Sequence, residues 1–223
     1  MKTFLCLLSM LAATLTANAQ GSIEAMLNYA GTTPSGGTPI SSAIYASFNG
    51  PMGWTFQPLV NINVTALGAF SYIVPGAGGV KVGLWDASGS LLASNTITTA
   101  STLDNQSRYK TVTPVLLTAG QTYYLAAYIP LGQGSPIAVT PSSEPYGYAT
   151  MSSEIQLGMV AYSQNSGFSF PGTTDGYTGC AIIAPNFQYT VVPEPSTLGL
   201  LGGGAGLWLI RVRRQIKARA AGV

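Results

Sequence analysis

Between Gln20 and Val192 the groups that could act on a ligand are few, and their types restrict the chemistry. The chain contains no histidine, so a Ser-His-Asp or Cys-His nucleophile and any histidine-ligated zinc or copper site are excluded. Cys180 is the one cysteine of this stretch. With no imidazole to take its proton it reads as a small buried thiol, and no disulfide can form within the stretch. The acids are Glu24, Asp86, Asp104, Glu144, Glu154 and Asp175. Two carboxylates suffice for glycoside hydrolysis, yet these are scattered, and turn or surface roles account for them. A calcium ion held by Asp and backbone carbonyls is conceivable, but no dense Asp/Asn cluster points to one. Walker, dinucleotide-binding and EF-hand patterns are absent. The body therefore reads as non-enzymatic and without a cofactor.

Aromatic side chains are the remaining candidates, because sugar rings lay their C–H faces on Trp and Tyr. Trp54 and Trp85 fall in strand patterns and are expected to pack. Tyr146, Tyr148 and Tyr177 fall in stretches of Pro, Gly, Ser and Thr read as loops, from which a ring could meet a glycan. Loop tyrosines also commonly pack over the end of a sandwich, so both roles stay open.

Charge separates the body from the tail. Lys81, Arg108 and Lys110 stand against six acids in the body, a balance of about −3, whereas the whole chain carries +2. A weakly acidic, sparsely charged body has no electrostatic footprint for nucleic acid. The compensating cations lie at the end: Arg211, Arg213, Arg214, Lys217 and Arg219 follow an apolar run from Thr197 to Ile210. As a helix that run rises only about 21 Å, and Pro195 to Val212 rises roughly 27 Å, marginally enough for a bilayer core of about 30 Å. The cations behind it hold the C-terminus in the cytoplasm. Ahead of it, Pro193 and Pro195 stop any strand, since each lacks a ladder N–H.

Pro193-Glu194-Pro195, Ser196, the glycines at 199, 202, 203, 204 and 206, and the Arg-rich tail stand in one order. Together they closely resemble the PEP-CTERM sorting signal of Gram-negative bacteria. The resemblance implies recognition by an exosortase, a membrane-embedded cysteine protease. Cleavage near the triplet and outward transfer would follow, with the inner membrane holding the helix until then. The residues by themselves show an anchor, and the processing comes from the resemblance.

At the other end, Lys2, an apolar stretch from Phe4 to Leu15 and Ala17-Asn18-Ala19 form a secretory signal peptide with a small-x-small site. Cleavage between Ala19 and Gln20 implies passage through the Sec translocon. Cys6 is preceded by Leu5 and lies too early for a lipoprotein site. Three segments result: a leader over 1–19, a secreted body over 20–192 and a sorting segment over 193–223.

The body must position whatever it carries on strands. From Gln20 to about Gly53 periodicity is weak, with a possible short strand over Ile44–Phe48. Val60 to Leu67 alternates apolar and polar, and the pattern continues to Ile73. Val80, Val82 and Leu84 alternate with Lys81, Gly83 and Trp85, and Asp86-Ala87-Ser88-Gly89 supplies a type I turn with a bulge before Leu91–Ile97 returns. Val112–Leu117 and Thr122–Ile129 flank a turn at Thr118–Gln121. Further strands are expected at Ile137–Thr140, Ile155–Ser163, Gly179–Ala184 and Phe187–Val192. No sustained helical period appears. The pattern predicts an all-β antiparallel sandwich of jelly-roll type.

Gly53-Trp54-Thr55-Phe56, Val64-Thr65-Ala66-Leu67-Gly68, Val82-Gly83-Leu84-Trp85-Asp86, Gly89-Ser90-Leu91-Leu92-Ala93 and Leu117 to Tyr123 form an ordered set. The set resembles a β-sandwich domain of unknown function found in secreted bacterial proteins, many with PEP-CTERM tails. That resemblance implies a fold and no activity. The leading expectation is a non-enzymatic exported surface or matrix protein, set among exopolysaccharide or biofilm. The alternatives are a carbohydrate-binding module using loop tyrosines and a hydrolase using carboxylates alone.

Overall fold

The computed structural model describes residues 21–29, 50–74, 79–128, 138–139, 149–178, 181–182 and 185–193. Their strands, in chain order, are β1 (Ile23–Glu24), β2 (Met26–Tyr29), β3 (Met52–Pro58), β4 (Ile62–Phe70), β5 (Val80–Asp86), β6 (Leu91–Ile97), β7 (Thr102–Asp104) and β8 (Ser107–Leu117). After these come β9 (Tyr123–Tyr128), β10 (Ala138–Val139), β11 (Ala149–Met151), β12 (Ile155–Tyr162), β13 (Thr173–Thr178), β14 (Ala181–Ile182) and β15 (Pro185–Val191). Five strands form one sheet in the order β1-β15-β4-β8-β7, and six form another in the order β13-β12-β3-β9-β5-β6. All pairings in both sheets are antiparallel. Two short pairs, β10 with β14 and β2 with β11, complete the set. The fold is an all-β sandwich.

The core lies between the inner faces, and alternation along the strands fills it. Val80, Val82 and Leu84 of β5 point in with Leu125 and Ala127 of β9. Aromatic rings join the two sheets: Trp54 stacks on Phe187 with centroids 6.0 Å apart, and Phe56 lies 4.9 Å from the same ring. Trp54 is fully buried and its indole N–H donates to the Pro185 carbonyl at 3.3 Å, so the polar edge of the ring is satisfied.

The β5–β6 turn forms as its residues require. Gly89 takes φ +86°, its N–H donates to the Asp86 carbonyl at 3.1 Å, and Asp86 Oδ1 accepts from the Ser88 and Ser90 amides at 2.9 Å each. Gly120 likewise takes φ +73° in the turn after β8.

Strand β4 departs from simple alternation. Ile62 and Val64 point into the core, and then Leu67 and Ala69 do. The phase slips at Thr65, where the register shifts against both neighbours: Val64 and Ala66 face Tyr189 and Gln188 on one side, Val115 and Thr111 on the other. A bulge adds a residue and so moves later side chains to the opposite face. Opposite it, β8 carries Val112-Thr113-Pro114, and Pro114 falls where the ladder is already broken. The Thr111 carbonyl accepts from Asn95 Nδ2 at 3.1 Å instead.

Several boundaries differ from the sequence reading. Strand β4 ends at Phe70, and Ser71–Ile73 form a short 3-10 turn. Strand β8 begins at Ser107, five residues before Val112, because Asn105 takes a left-handed φ of 50° and closes a hairpin with β7. Strands β1 and β2 occupy a stretch read as unpatterned, being too short to show a period. The expected strand at Ile44–Phe48 and Cys180 lie outside the described residues. So do the signal peptide and the sorting helix. No helix among the described residues is long and apolar enough to cross a membrane.

Candidate functional site

The bulge at Thr65 turns Ala66 and Gly68 to the outer face of the five-stranded sheet, where the central strand has almost no side chain. Registers place Glu24, Gln188, Ala66 and Thr111 in one cross-strand row, and Asn186, Gly68, Tyr109 and Thr102 in the next. The Tyr109 ring fills the space over Gly68: a β-carbon there would stand 2.3 Å from Cδ1 and 2.4 Å from Cε1. Its hydroxyl accepts from Asn186 Nδ2 at 2.7 Å. The same amide donates to the Met26 carbonyl at 3.0 Å, and Asn186 Oδ1 accepts from the Met26 and Phe187 amides at 3.1 and 2.9 Å. Asn186 is fully buried, and these four bonds fill the capacity of a primary amide.

Glu24 stands at the edge of this network, half-buried. Removal from water lifts its carboxyl to about 7; the Asn105 amide at 3.4 Å opposes the rise, the negative charge of Asp104 adds to it, and the Tyr109 hydroxyl opposes it. Asn105 also donates to the Leu27 carbonyl at 2.8 Å, tying the β7–β8 turn to the N-terminal segment. Asp104 Oδ2 accepts from Gln188 Nε2 at 2.7 Å.

Ala66 itself is buried, and a depression lies beside it. A groove of about 660 Å³ runs there, with Tyr109, Thr111 and Lys110 of β8 on one flank, Gln188 of β15 on the other, and Asp104 with the 98–103 segment as a wall. Arg108 Nη1 donates to the Ser101 carbonyl at 2.8 Å and holds that wall in place. Its volume falls within the range of ligand sites, about 300–1,000 Å³. The groove presents a carboxylate, an amide and hydroxyls. Such a lining can hydrogen-bond a hydroxylated ligand. Glu24 lies beside the groove and not in its lining.

Asp86 and Glu154 are spent locally. Asp86 is held below the usual carboxylate range, chiefly by the Ser88 hydroxyl and then the Ser90 amide. Glu154 is lowered first by the Ser153 hydroxyl, and it accepts from the Tyr189 hydroxyl at 2.9 Å. Asp175 lies on the exposed strand β13. No three of His, Cys, Asp and Glu gather among the described residues.

Of the residues singled out from sequence, Trp54 is core. Trp85 is buried on the outer face of the six-stranded sheet under Phe168 and Phe170, with Lys81 Nζ 4.2 Å above the Phe168 ring. Tyr177 was expected in a loop, but its backbone belongs to edge strand β13: polar, glycine-containing Thr173–Thr178 pairs with β12 despite its loop-like composition. Tyr146 and Tyr148 lie outside the described residues. So do Ala19, Gln20, Glu194, Pro195, Arg211, Arg213, Arg214, Lys217 and Arg219. Pro193 is exposed, directly after Val192, whose amide donates to the Asn61 carbonyl at 2.8 Å. Sequence reading missed Glu24, Asp104, Tyr109, Asn186 and Gln188 as a group. The one local sign was Ala66 and Gly68, two small residues on one face of a strand.

Comparison with known families accounts for both parts of the chain. The PEP-CTERM protein-sorting motif matches residues 191–214, so this is an exported, exosortase-sorted protein of the cell envelope or surface. No curated protein matches the chain. A domain of unknown function, DUF4082, matches residues 37–178, well over half of the sequence. The chain belongs to the DUF4082 family.

Proposed function

We propose that the protein is a non-enzymatic component of the cell surface or extracellular matrix, associated with exopolysaccharide. The observation that supports this best is the sorting motif set directly behind a sandwich in which Asp86, Asp104 and Glu154 are engaged in turn, amide and tyrosine contacts. A surface of hydroxyls and amides with little net charge suits close contact with polysaccharide. The Sec translocon would export the body, and the inner membrane would hold the C-terminal helix until an exosortase acts.

The test is fractionation of a tagged protein in a host that has its exosortase, with and without exopolysaccharide synthesis. The protein should sediment with the polysaccharide fraction and pass into the medium when synthesis is deleted. Equal distribution in both strains would overturn the association. Reducing-end release that disappears in Asp104→Asn would instead establish a carboxylate hydrolase.

A further inference from the structure

We infer that the exosortase cuts this chain behind the Pro193-Glu194-Pro195 triplet, at Pro195–Ser196 or Ser196–Thr197, so that the exported body keeps the triplet at its C-terminus. This rests on the exosortase sorting described above and adds the place of the cut, which the last strand decides.

Strand β15 holds the chain right up to the triplet. Thr190 and Val191 pair with Asn63 and Ile62 of β4, and the Val192 amide donates to the Asn61 carbonyl at 2.8 Å. Val191 packs against the core. Tyr189, just ahead, is fully buried; its hydroxyl donates to Glu154 Oε2 at 2.9 Å and lies 2.6 Å from Ser152 Oγ. The ladder stops at exposed Pro193, whose ring nitrogen has no proton to continue it. No residue separates Val192 from the triplet.

A protease takes the chain ahead of the scissile bond in extended form and pairs its backbone groups with the cleft walls. For Val192–Pro193 and Pro193–Glu194 that chain includes Val191 and Val192, whose backbone is already committed to β4. Only molecules with the end of β15 peeled away could enter, and apparent affinity falls with that fraction. Packed Val191 and buried Tyr189 keep the fraction small. Val192–Pro193 and Glu194–Pro195 meet a second obstacle, since proline offers the cleft no N–H on the leaving side. Beyond Thr197 the chain enters the apolar run, where lipid requires a backbone bonded within itself and closed to a cleft. Behind Pro195, by contrast, the residues to be gripped are the triplet itself.

The step is an acyl transfer. The carbonyl carbon of Pro195 or Ser196 passes from the amide nitrogen to the protease thiol, and the nitrogen takes the thiol proton and leaves with the membrane segment. Water then forms the new carboxyl group and restores the thiol.

The test is expression of the full-length chain in a host with its exosortase, followed by mass spectrometry of the mature C-terminal peptide. The expected end is Pro195 or Ser196. An end at Val192, Pro193 or Glu194, or anywhere beyond Ser196, would overturn the place of the cut while the sorting itself stands. A second variant carries Gly-Ser-Gly-Ser between Val192 and Pro193. Because the proposed bonds already clear the sheet, its tail release in pulse-chase should stay within about twofold of wild type and give the same end. A larger rise would show that the sandwich obstructs the cut, and would overturn the inference. Wild type left uncleaved in that host would remove the sorting reading and this inference with it.

Discussion

Tyr109 lies across Gly68, and the contact leaves no room for a side chain beneath the ring. The absent β-carbon is what lets the ring reach over β4 and its hydroxyl meet Asn186 on β15, so one glycine connects three strands on the outer face.

Gly68→Ala should therefore destabilise the protein by about 1–3 kcal/mol, the usual cost of overpacking. The effect should shrink in a Tyr109→Ala background, although the Arg108 carbonyl at 2.9 Å leaves some residual strain. Urea unfolding of the double-mutant cycle measures the coupling. Additive effects would show that the ring is not what excludes the side chain.

Asn186→Ala removes four hydrogen bonds at a fully buried position and should cost at least about 2 kcal/mol. Because Met26 loses a partner on both its N–H and its C=O, its amide should exchange with solvent disproportionately fast. Uniform acceleration of exchange across the sandwich would argue for global loosening instead.

Glu24 makes stability depend on pH near neutrality. Its carboxyl is protonated in folded and unfolded states alike below its ordinary value of 4.5, whereas in the folded state it ionises only near 7. Between those values the unfolded chain releases the proton and the folded one keeps it, so this contribution to stability falls as pH rises and is gone above about 7. Glu24→Gln should flatten that window and stabilise the protein relative to wild type at pH 8. The lowered carboxyls of Asp86 and Glu154 act oppositely, losing their contribution as pH falls below their ordinary range. Thermal melts from pH 4 to 9 separate the two. An unchanged slope in Glu24→Gln would place the neutral-range titration elsewhere.

Gly89→Ala places a side chain at φ +86° with Phe170 Cδ1 3.1 Å from the new β-carbon. A loss of about 1–2 kcal/mol is expected from the backbone alone. The measurement is the shift in urea midpoint. No shift would mean that the β5–β6 turn relaxes to another type.

In the sorting segment, Glu194→Ala or loss of Pro193 and Pro195 should leave insertion intact and block processing, since the triplet lies outside the apolar run. Neutralising Arg211, Arg213, Arg214, Lys217 and Arg219 should instead disturb topology. Immunoblots of tail release, with protease protection for orientation, distinguish the two classes. Equal processing of wild type and triplet variants would reduce the segment to a plain anchor.

Much of this protein was legible locally. Alternation marked β5 and the first part of β4, because a strand with one buried face repeats every two residues, while β6, β9 and β12 were marked as short runs of strand-forming residues between turns. Asp86 and Gly89 named their turn because few residues can serve it. The sorting motif was readable because its parts are consecutive in the chain and act through composition and order. Tertiary structure decided the phase of β4 after Thr65, the position of β13 and the grouping of Glu24, Asp104, Tyr109, Asn186 and Gln188. These residues are separated by up to 164 positions, the span from Glu24 to Gln188. Nothing in the order of the chain ties Glu24 to Asp104 or Gln188 to Ala66. Their neighbourhood depends on strand order and on a one-residue slip in register, and both are settled by which arrangement of the two sheets closes the core.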